Sequence, residues 1–468
     1  MKTIRFTISL LALASLSACA LGPDYQRPAV VTPKNYGEAV GNWQPAVPKD
    51  HMPRGAWWEI YHDDVLDTLE VQVAVNNQNI KVAEAQYQEA KALLDASLAA
   101  YWPTIGAKAS SNISQYASTQ FTAQGANTLD SLSGNASWTI DIWGKLRRTA
   151  EANRASAEAS QDTLQAALLS AQATLAQSYL QLRVLDDDAR MLAQTLVADQ
   201  RTVDITIHLY HAGVSTPADV ALSVSQLKAV EATRVDLGVQ RAQLVHAIAL
   251  LIGQAPALFS LPETNIVPQL PNIPATVPSA LLEHRPDIAA AERQMAAANA
   301  QIGVAEAAFF PTLTLTGQSG YQGVNFPSLI AAPNQFWSMG PALAGTLFDG
   351  GILRAQKAQA VAAYQASVAT YRQTVLTGFQ EVEDDLASLR ILAQEDRVQT
   401  EAVAAAQTGL NVALNQYQAG MVSYTNVLTA QTAALSANKA RLDVLGRELV
   451  ASAGLVTALG GNWSAIHP

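Results

Sequence analysis

Two histidines, His208 and His211, stand three residues apart in a stretch without Gly or Pro, so on a helix they share one face. That spacing suits two metal ligands, but they lack the Cys or carboxylate partners of a zinc site. Two acidic runs, Asp186-Asp187-Asp188 and Glu381-Glu383-Asp384-Asp385, interrupt apolar helical patterns and read as solvated helix faces. The chain has no P-loop, no Gly-x-Ser-x-Gly and no zinc-protease motif. Nothing in this inventory implies a catalytic centre or a cofactor, so the chain does not read as an enzyme.

Cys19 is the one residue whose chemistry is specific. It is the only cysteine, and it follows a basic start (Lys2, Arg5), a short apolar run (Phe6 to Leu16) and Leu16-Ser17-Ala18. These are the parts of a signal peptide, 1–18, rather than a membrane span. The placement of Cys19 at the cleavage point resembles the lipobox of bacterial lipoproteins, in which the Cys becomes the acylated first residue. Acyl chains would hold the N-terminus to a bilayer. By the same resemblance, Ala20 in place of Asp favours the outer membrane. Without Lys2 and Arg5 the formal charge goes from -10 to -12, and an acidic chain lacks the basic footprint of a nucleic-acid binder.

The elements that carry these residues occur twice. Asn79-Ile80 through Pro103-Thr104 returns as Asp287-Ile288 through Pro311-Thr312 at an offset of 208, and Tyr210-His211-Ala212-Gly213 returns as Tyr417-Gln418-Ala419-Gly420 at 207. A whole structural unit is duplicated, which points to a symmetric assembly rather than to one pocket. Pro-rich stretches flank the copies. Residues 19–56 read as an extended tether, 57–252 as the first repeat, 253–285 as a linker, 286–463 as the second repeat and 464–468 as a tail.

Between Lys145 and Ala212, Leu168, Leu175, Leu182, Ala189, Leu196, Val203 and Tyr210 recur every seven residues. A stripe of that period is a coiled-coil seam, on a helix roughly 100 Å long. Leu428, Leu435, Leu442, Leu449 and Val456 repeat the pattern later. Other segments alternate with period two. Leu132, Gly134, Ala136, Trp138, Ile140 and Ile142 are apolar against polar Ser133, Asn135, Ser137, Thr139 and Asp141, and Thr312 to Thr316 alternates likewise. So do Trp337, Met339, Leu343 and Leu347, while 104–116 is the weakest of the four strands. Residues 117–130 and 322–335 read as hairpin loops, and Trp138, Trp143, Trp337 and Tyr321 as an interfacial girdle. No stretch after the signal peptide is apolar enough for a membrane helix, so a membrane-spanning chain must use strands. Four strands cannot close a barrel; two chains would pool eight and three chains twelve. The alternative is a periplasmic coiled-coil lipoprotein serving as scaffold or adaptor.

Several motifs together carry a resemblance from Cys19 to Trp463. They are Trp57-Trp58-Glu59-Ile60-Tyr61, Asp141-Ile142-Trp143-Gly144-Lys145-Leu146-Arg147, Arg285-Pro286-Asp287-Ile288, Leu347-Phe348-Asp349-Gly350-Gly351 and Leu459-Gly460-Gly461-Asn462-Trp463. The chain resembles the outer membrane factor family, the TolC-like exit ducts, in its lipoprotein branch. The resemblance implies an α+β membrane protein: a homotrimer with a twelve-stranded outer membrane β-barrel continued by a periplasmic α-barrel of antiparallel coiled coils. The linker and chain ends would form a belt around it. The partners implied are outer membrane lipid, a periplasmic adaptor and an inner membrane pump, with small toxic molecules as cargo of unspecified identity. It also implies a periplasmic gate. The first-turn Asp of the family falls on Asp219 and the second-turn Tyr on Tyr417, while a contributing Arg falls on Val422 and the ring of acids on Asn426 and Thr429.

Overall fold

A computed structural model describes residues 20–30, 33, 36–38, 55–115, 127–264, 269–271 and 285–461. The predicted signal peptide, Cys19 and the tail lie outside these residues. Among the described residues seven α-helices and four strands follow in order: α1 (Asp64–Asn76), α2 (Gln78–Ala99), β1 (Thr104–Ser114), β2 (Asn127–Ile140), α3 (Lys145–His211), α4 (Pro217–Leu251), α5 (Pro286–Ala307), β3 (Thr312–Gly323), β4 (Gln335–Ala344), α6 (Ile352–Gln418) and α7 (Tyr424–Ala458). In the long helices the duplication holds to the residue. Helices α3 and α6 are 67 residues each, and α4 and α7 are 35 each. Helix α1 and the 3-10 turn Trp57–Tyr61 precede the duplicated set.

Each long helix starts on an aspartate. Asp141 accepts from the amides of Leu146 (3.1 Å) and Arg147 (3.0 Å) before α3. Asp349 accepts from Gly351 (2.8 Å) and Leu353 (2.7 Å) before α6. An anion at a helix start satisfies orphan N–H groups and favours the dipole, which gives two of the sequence motifs a local physical cause.

The chain divides into two compact units. The first comprises Met1–Ala29, Gln86–Gln161 and Ala290–Arg372. It holds one antiparallel sheet in the order β1-β2-β3-β4. The weakest predicted strand, 104–116, forms over Thr104–Ser114, pairing from Thr104↔Ser137 to Ser114↔Asn127. Strand β2 starts at Asn127, inside the predicted loop 117–130, and ends before Ile142. Strand β4 ends at Ala344 rather than at Leu347, because its last partner Thr312 follows Pro311, which has no N–H to extend a ladder. Residues 20–28, within the stretch read as an extended tether, are a docked strap. Arg148 donates to the carbonyls of Leu21 (3.0 Å) and Gly22 (3.1 Å) and to Asp24 (2.8 Å). Asn299 holds the Pro23 carbonyl, and Tyr25 reaches Glu292. Gly22 (φ 94°) is required there: a Cβ on it would lie 2.4 Å from the Cα of Gly303.

The second unit comprises Val30–Ala85, Asp162–Ala289 and Gln373–Pro468. Its core joins Trp57, Tyr61, Leu66, Leu69 and Val73 to Leu175, Leu180 and Leu182 of α3, Ile248 and Ile252 of the α4 end, and Leu449 and Val456 of α7. The predicted heptad residues Leu175, Leu182 and Val203 are buried, whereas Tyr210 is exposed. The two acidic runs are not merely solvated faces. The Asp186 side chain is fully buried, paired with Arg183 (2.9 Å) and Arg241 (2.8 Å). Arg183 and Arg241 also hold the carbonyls of Pro262 and Leu261, so the acid docks the start of the linker. In the second run Glu383 accepts from the amides of Gly37 (2.7 Å) and Glu38 (3.0 Å), and Glu381 pairs with Arg285. Burial and the neighbouring carboxylates Glu381 and Asp384 push Asp385 up to about 7. Charges interrupt the seam at these points because linker and N-terminal backbone must be hydrogen-bonded to it.

Candidate functional site: the strand faces and the two helical turns

The register assigns every strand residue to a face. Ile105, Ala107 and Ala109 of β1 share one face with Leu132, Ala136, Trp138 and Ile140 of β2, since Ile105 pairs with Ala136 and Ala109 with Leu132. The same register places Leu313 and Leu315 of β3 beside Ile140 and Trp138, and Leu343 and Met339 of β4 beside Leu313 and Gly317. The opposite face carries Thr104, Lys108, Ser110, Asn112, Ser133, Asn135, Thr139, Thr314, Thr316 and Gln318. Apolar Ile105, Trp337, Met339 and Leu343 are all highly exposed in the single chain. The four aromatic residues expected to form a girdle lie at two levels of the sheet. Trp138 donates to the Tyr101 carbonyl and Trp143 to that of Pro311, both at the helix end of the sheet. Tyr321, paired with Gln335, and Trp337 lie toward the loop end. Trp138 faces Leu315, six residues before Tyr321 on β3, about 20 Å along the strand.

At the far ends of the long helices the two turns repeat each other. Gly213 (φ 77°) and Gly420 (φ 72°) take the left-handed conformation that ends a helix. Their amides bond the carbonyls of Tyr210 and Tyr417, and the next amides, of Val214 and Met421, bond those of Leu209 and Gln416, all at 2.9 Å. Thr216 then caps α4. Its side chain accepts from the Asp219 amide (3.2 Å), and Asp219 accepts from the Thr216 amide (2.9 Å), a reciprocal capping box. In the second repeat Ser423 stands at the cap without a side-chain bond, and Asn426 occupies the place of Asp219.

The expected contact between Asp219 and Tyr417 is indirect. The Tyr417 hydroxyl lies 3.1 Å from the Ser215 hydroxyl, which lies 3.1 Å from Oδ2 of Asp219. Ser215 donates to the carboxylate and accepts from the phenol. Burial works against ionisation of Asp219, but the bonds from the Thr216 amide, the Thr216 hydroxyl and Ser215 outweigh it and hold its carboxyl below the usual range. Tyr417 is buried with Tyr424 and Val427, and Val422, where the resemblance set an Arg of some members, packs against this cluster. Asn426 and Thr429 are exposed on α7. His208 and His211 are exposed in the last turn of α3, where a basic group suits the helix dipole. The repeat partners Tyr210 and Tyr417 differ: the first is 42% exposed, the second 4%.

Two residues that the sequence reading passed over lie just beneath. Asp199 and Gln431 are buried and joined, Gln431 Nε2 to Asp199 Oδ1 at 2.8 Å. A signal existed. Asp199 is seven from Leu192, and Gln431 is seven from Tyr424, each on the second stripe of its heptad.

The outer membrane efflux protein family model matches residues 69–254 and 277–461. The chain belongs to the outer membrane efflux protein family. It is 30% identical to the cation efflux system protein CusC of Escherichia coli O6:H1, over 99% of each chain. It is also 30% identical to the toluene efflux pump outer membrane protein TtgC of Pseudomonas putida, over 98% of this chain and 96% of that protein. The solved outer-membrane channel OprN superposes with a TM-score of 0.86 at 27% identity, covering 95% of this chain and all of the other. The protein is thus an outer membrane efflux channel, and the alternative of a periplasmic scaffold falls.

Proposed function

We propose that three copies of this chain pool their strands into a twelve-stranded barrel and their helices into a periplasmic duct. The supporting observation is the sheet itself: its apolar face is exposed, and β1 and β4 each pair on one side only. Open edges and unpaired backbone are not tolerated in lipid, so neighbouring copies must supply the missing ladders. The polar face then lines a water-filled lumen. Residues 1–18 are removed as a signal peptide and Cys19 is acylated, adding a lipid anchor to the strands. The docked strap and the segments held by Glu383, Arg183 and Arg241 belong to a belt around the helices. The turns at Gly213 and Gly420 form the closing end, with Asp219, Ser215 and Tyr417 as its polar latch and with Asn426 and Thr429 facing the narrowest passage.

Small molecules reach this duct from a periplasmic adaptor and an inner membrane pump, which supplies the energy. Relatives of equal identity are named for cations and for toluene. A wide hydrated lumen fits both, so cargo selection belongs to the pump. The test is direct. Purified full-length protein should migrate as a trimer in unheated detergent and conduct ions in a planar bilayer. A monomer without conductance would remove the reading.

A further inference from the structure

Beneath the closing end, α3 and α7 meet through polar side chains instead of the apolar seam. Gln431 is the centre of this layer. Its Nε2 donates to Asp199 Oδ1 (2.8 Å) and lies 3.4 Å from the Thr202 hydroxyl, and its Oε1 accepts from the Tyr424 hydroxyl (3.1 Å). Tyr424 is buried, and its ring meets that of Tyr417 edge-on, with centroids 5.7 Å apart at 63°. Tyr417 in turn reaches Ser215 and the first turn. A single amide therefore connects an acid of α3 to the aromatic pair that packs under both turns.

Only a group with a donor on one side and an acceptor on the other satisfies both neighbours. A leucine would leave a buried carboxyl and a buried phenol without partners. A glutamate has the right size but offers acceptors to both. Asp199 has no ion-pair partner among the described residues, and its Oδ2 is buried without a hydrogen bond. Burial alone drives its carboxyl up to about 6; the titratable group facing it is Tyr424 of α7, and no charged group of α4 or α6 acts on it.

We propose that Gln431 is a positioning residue of the channel's closing end, holding Tyr424 against Tyr417 through its anchor on Asp199. This rests on the reading that the two turns close the duct.

The experiment uses the full-length trimer and two readouts, hydrogen exchange of amides 415–428 and bilayer conductance, each at pH 5 and pH 8. In Gln431→Glu two carboxyl groups meet. At pH 5 they share a proton and can still hold Tyr424; at pH 8 both ionise and repel. Exchange in 417–427 should then run about tenfold faster than wild type at pH 8 and return to near wild type at pH 5. The exchanged pair Asp199→Asn with Gln431→Glu restores one donor and one acceptor, so its exchange should match wild type at both pH values. Wild-type exchange in Gln431→Glu at pH 8 overturns the proposal, and so does a double variant as fast as the single one. Conductance reports the underlying reading separately. Fast exchange with unchanged conductance supports the positioning role and removes the closing end from these turns.

Discussion

The hydroxyl of Ser215 stands 3.1 Å from that of Tyr417 and 3.1 Å from the carboxylate of Asp219, so one serine links the turn of the first hairpin to the second. The expected pair is thereby a triad, and its middle member is the weakest link. A hydrogen bond to an ionised carboxylate contributes about 1.5–3 kcal/mol, and one between hydroxyls about 1 kcal/mol. Ser215→Ala should raise single-channel conductance as much as Tyr417→Phe, because each removes the same hydroxyl contact. If Tyr417→Phe acts and Ser215→Ala does not, the phenol has another partner in the assembled channel.

The register makes Ala136 and Asn135 neighbours with opposite surroundings. Ala136→Arg places a charge on the apolar face and should destabilise by about 2–4 kcal/mol at mid-membrane, whereas Asn135→Arg on the polar face should be nearly neutral. The measurement is the temperature at which trimers dissociate in detergent. Equal midpoints for the two variants would mean that this assignment of lipid and lumen faces is wrong.

Glu70 of α1 is fully buried, and among the described residues neither of its carboxylate oxygens has a hydrogen-bond partner. Burial, with a smaller push from Asp67, raises its carboxyl from 4.5 to about 9. The folded chain therefore keeps a proton that the unfolded chain releases. Its contribution to stability is fully present below pH 4.5 and is lost as pH rises toward 9. Glu70→Gln keeps the shape without the ionisation. It should flatten this slope and stabilise the protein by roughly 2–4 kcal/mol at pH 7.5. Unfolding by denaturant at pH 5 and pH 8 would show it; parallel profiles for both proteins would mean that Glu70 has a partner in the assembly.

Cys19→Ala should abolish labelling by a fatty-acid analogue in cells. The protein should still fractionate with the outer membrane, because acyl chains only add to an insertion that strands provide. Persistent labelling would place the acyl group elsewhere.

The sequence alone determined the elements and their duplication. Period seven set α3 and α7 on a coiled-coil path, and period two set the strands. The offset of 207 to 208 foretold matched lengths, because burial periodicity and turn glycines are local properties. The apolar and polar faces of β2 followed from alternation for the same reason. What only the tertiary structure decided was where polar groups find partners across distant segments. Asp186 and Glu383 look like solvated acids in a linear reading, yet they hold the linker and the N-terminal backbone, which arrive from far along the chain. Ser215 was invisible because its role depends on Tyr417, 202 residues away. Tyr210 and Tyr417 share a motif but differ in burial, since a repeat copies a residue without copying its neighbours. A buried polar group is stable only with a partner in reach, and that partner is fixed by packing in three dimensions, not by spacing along the chain.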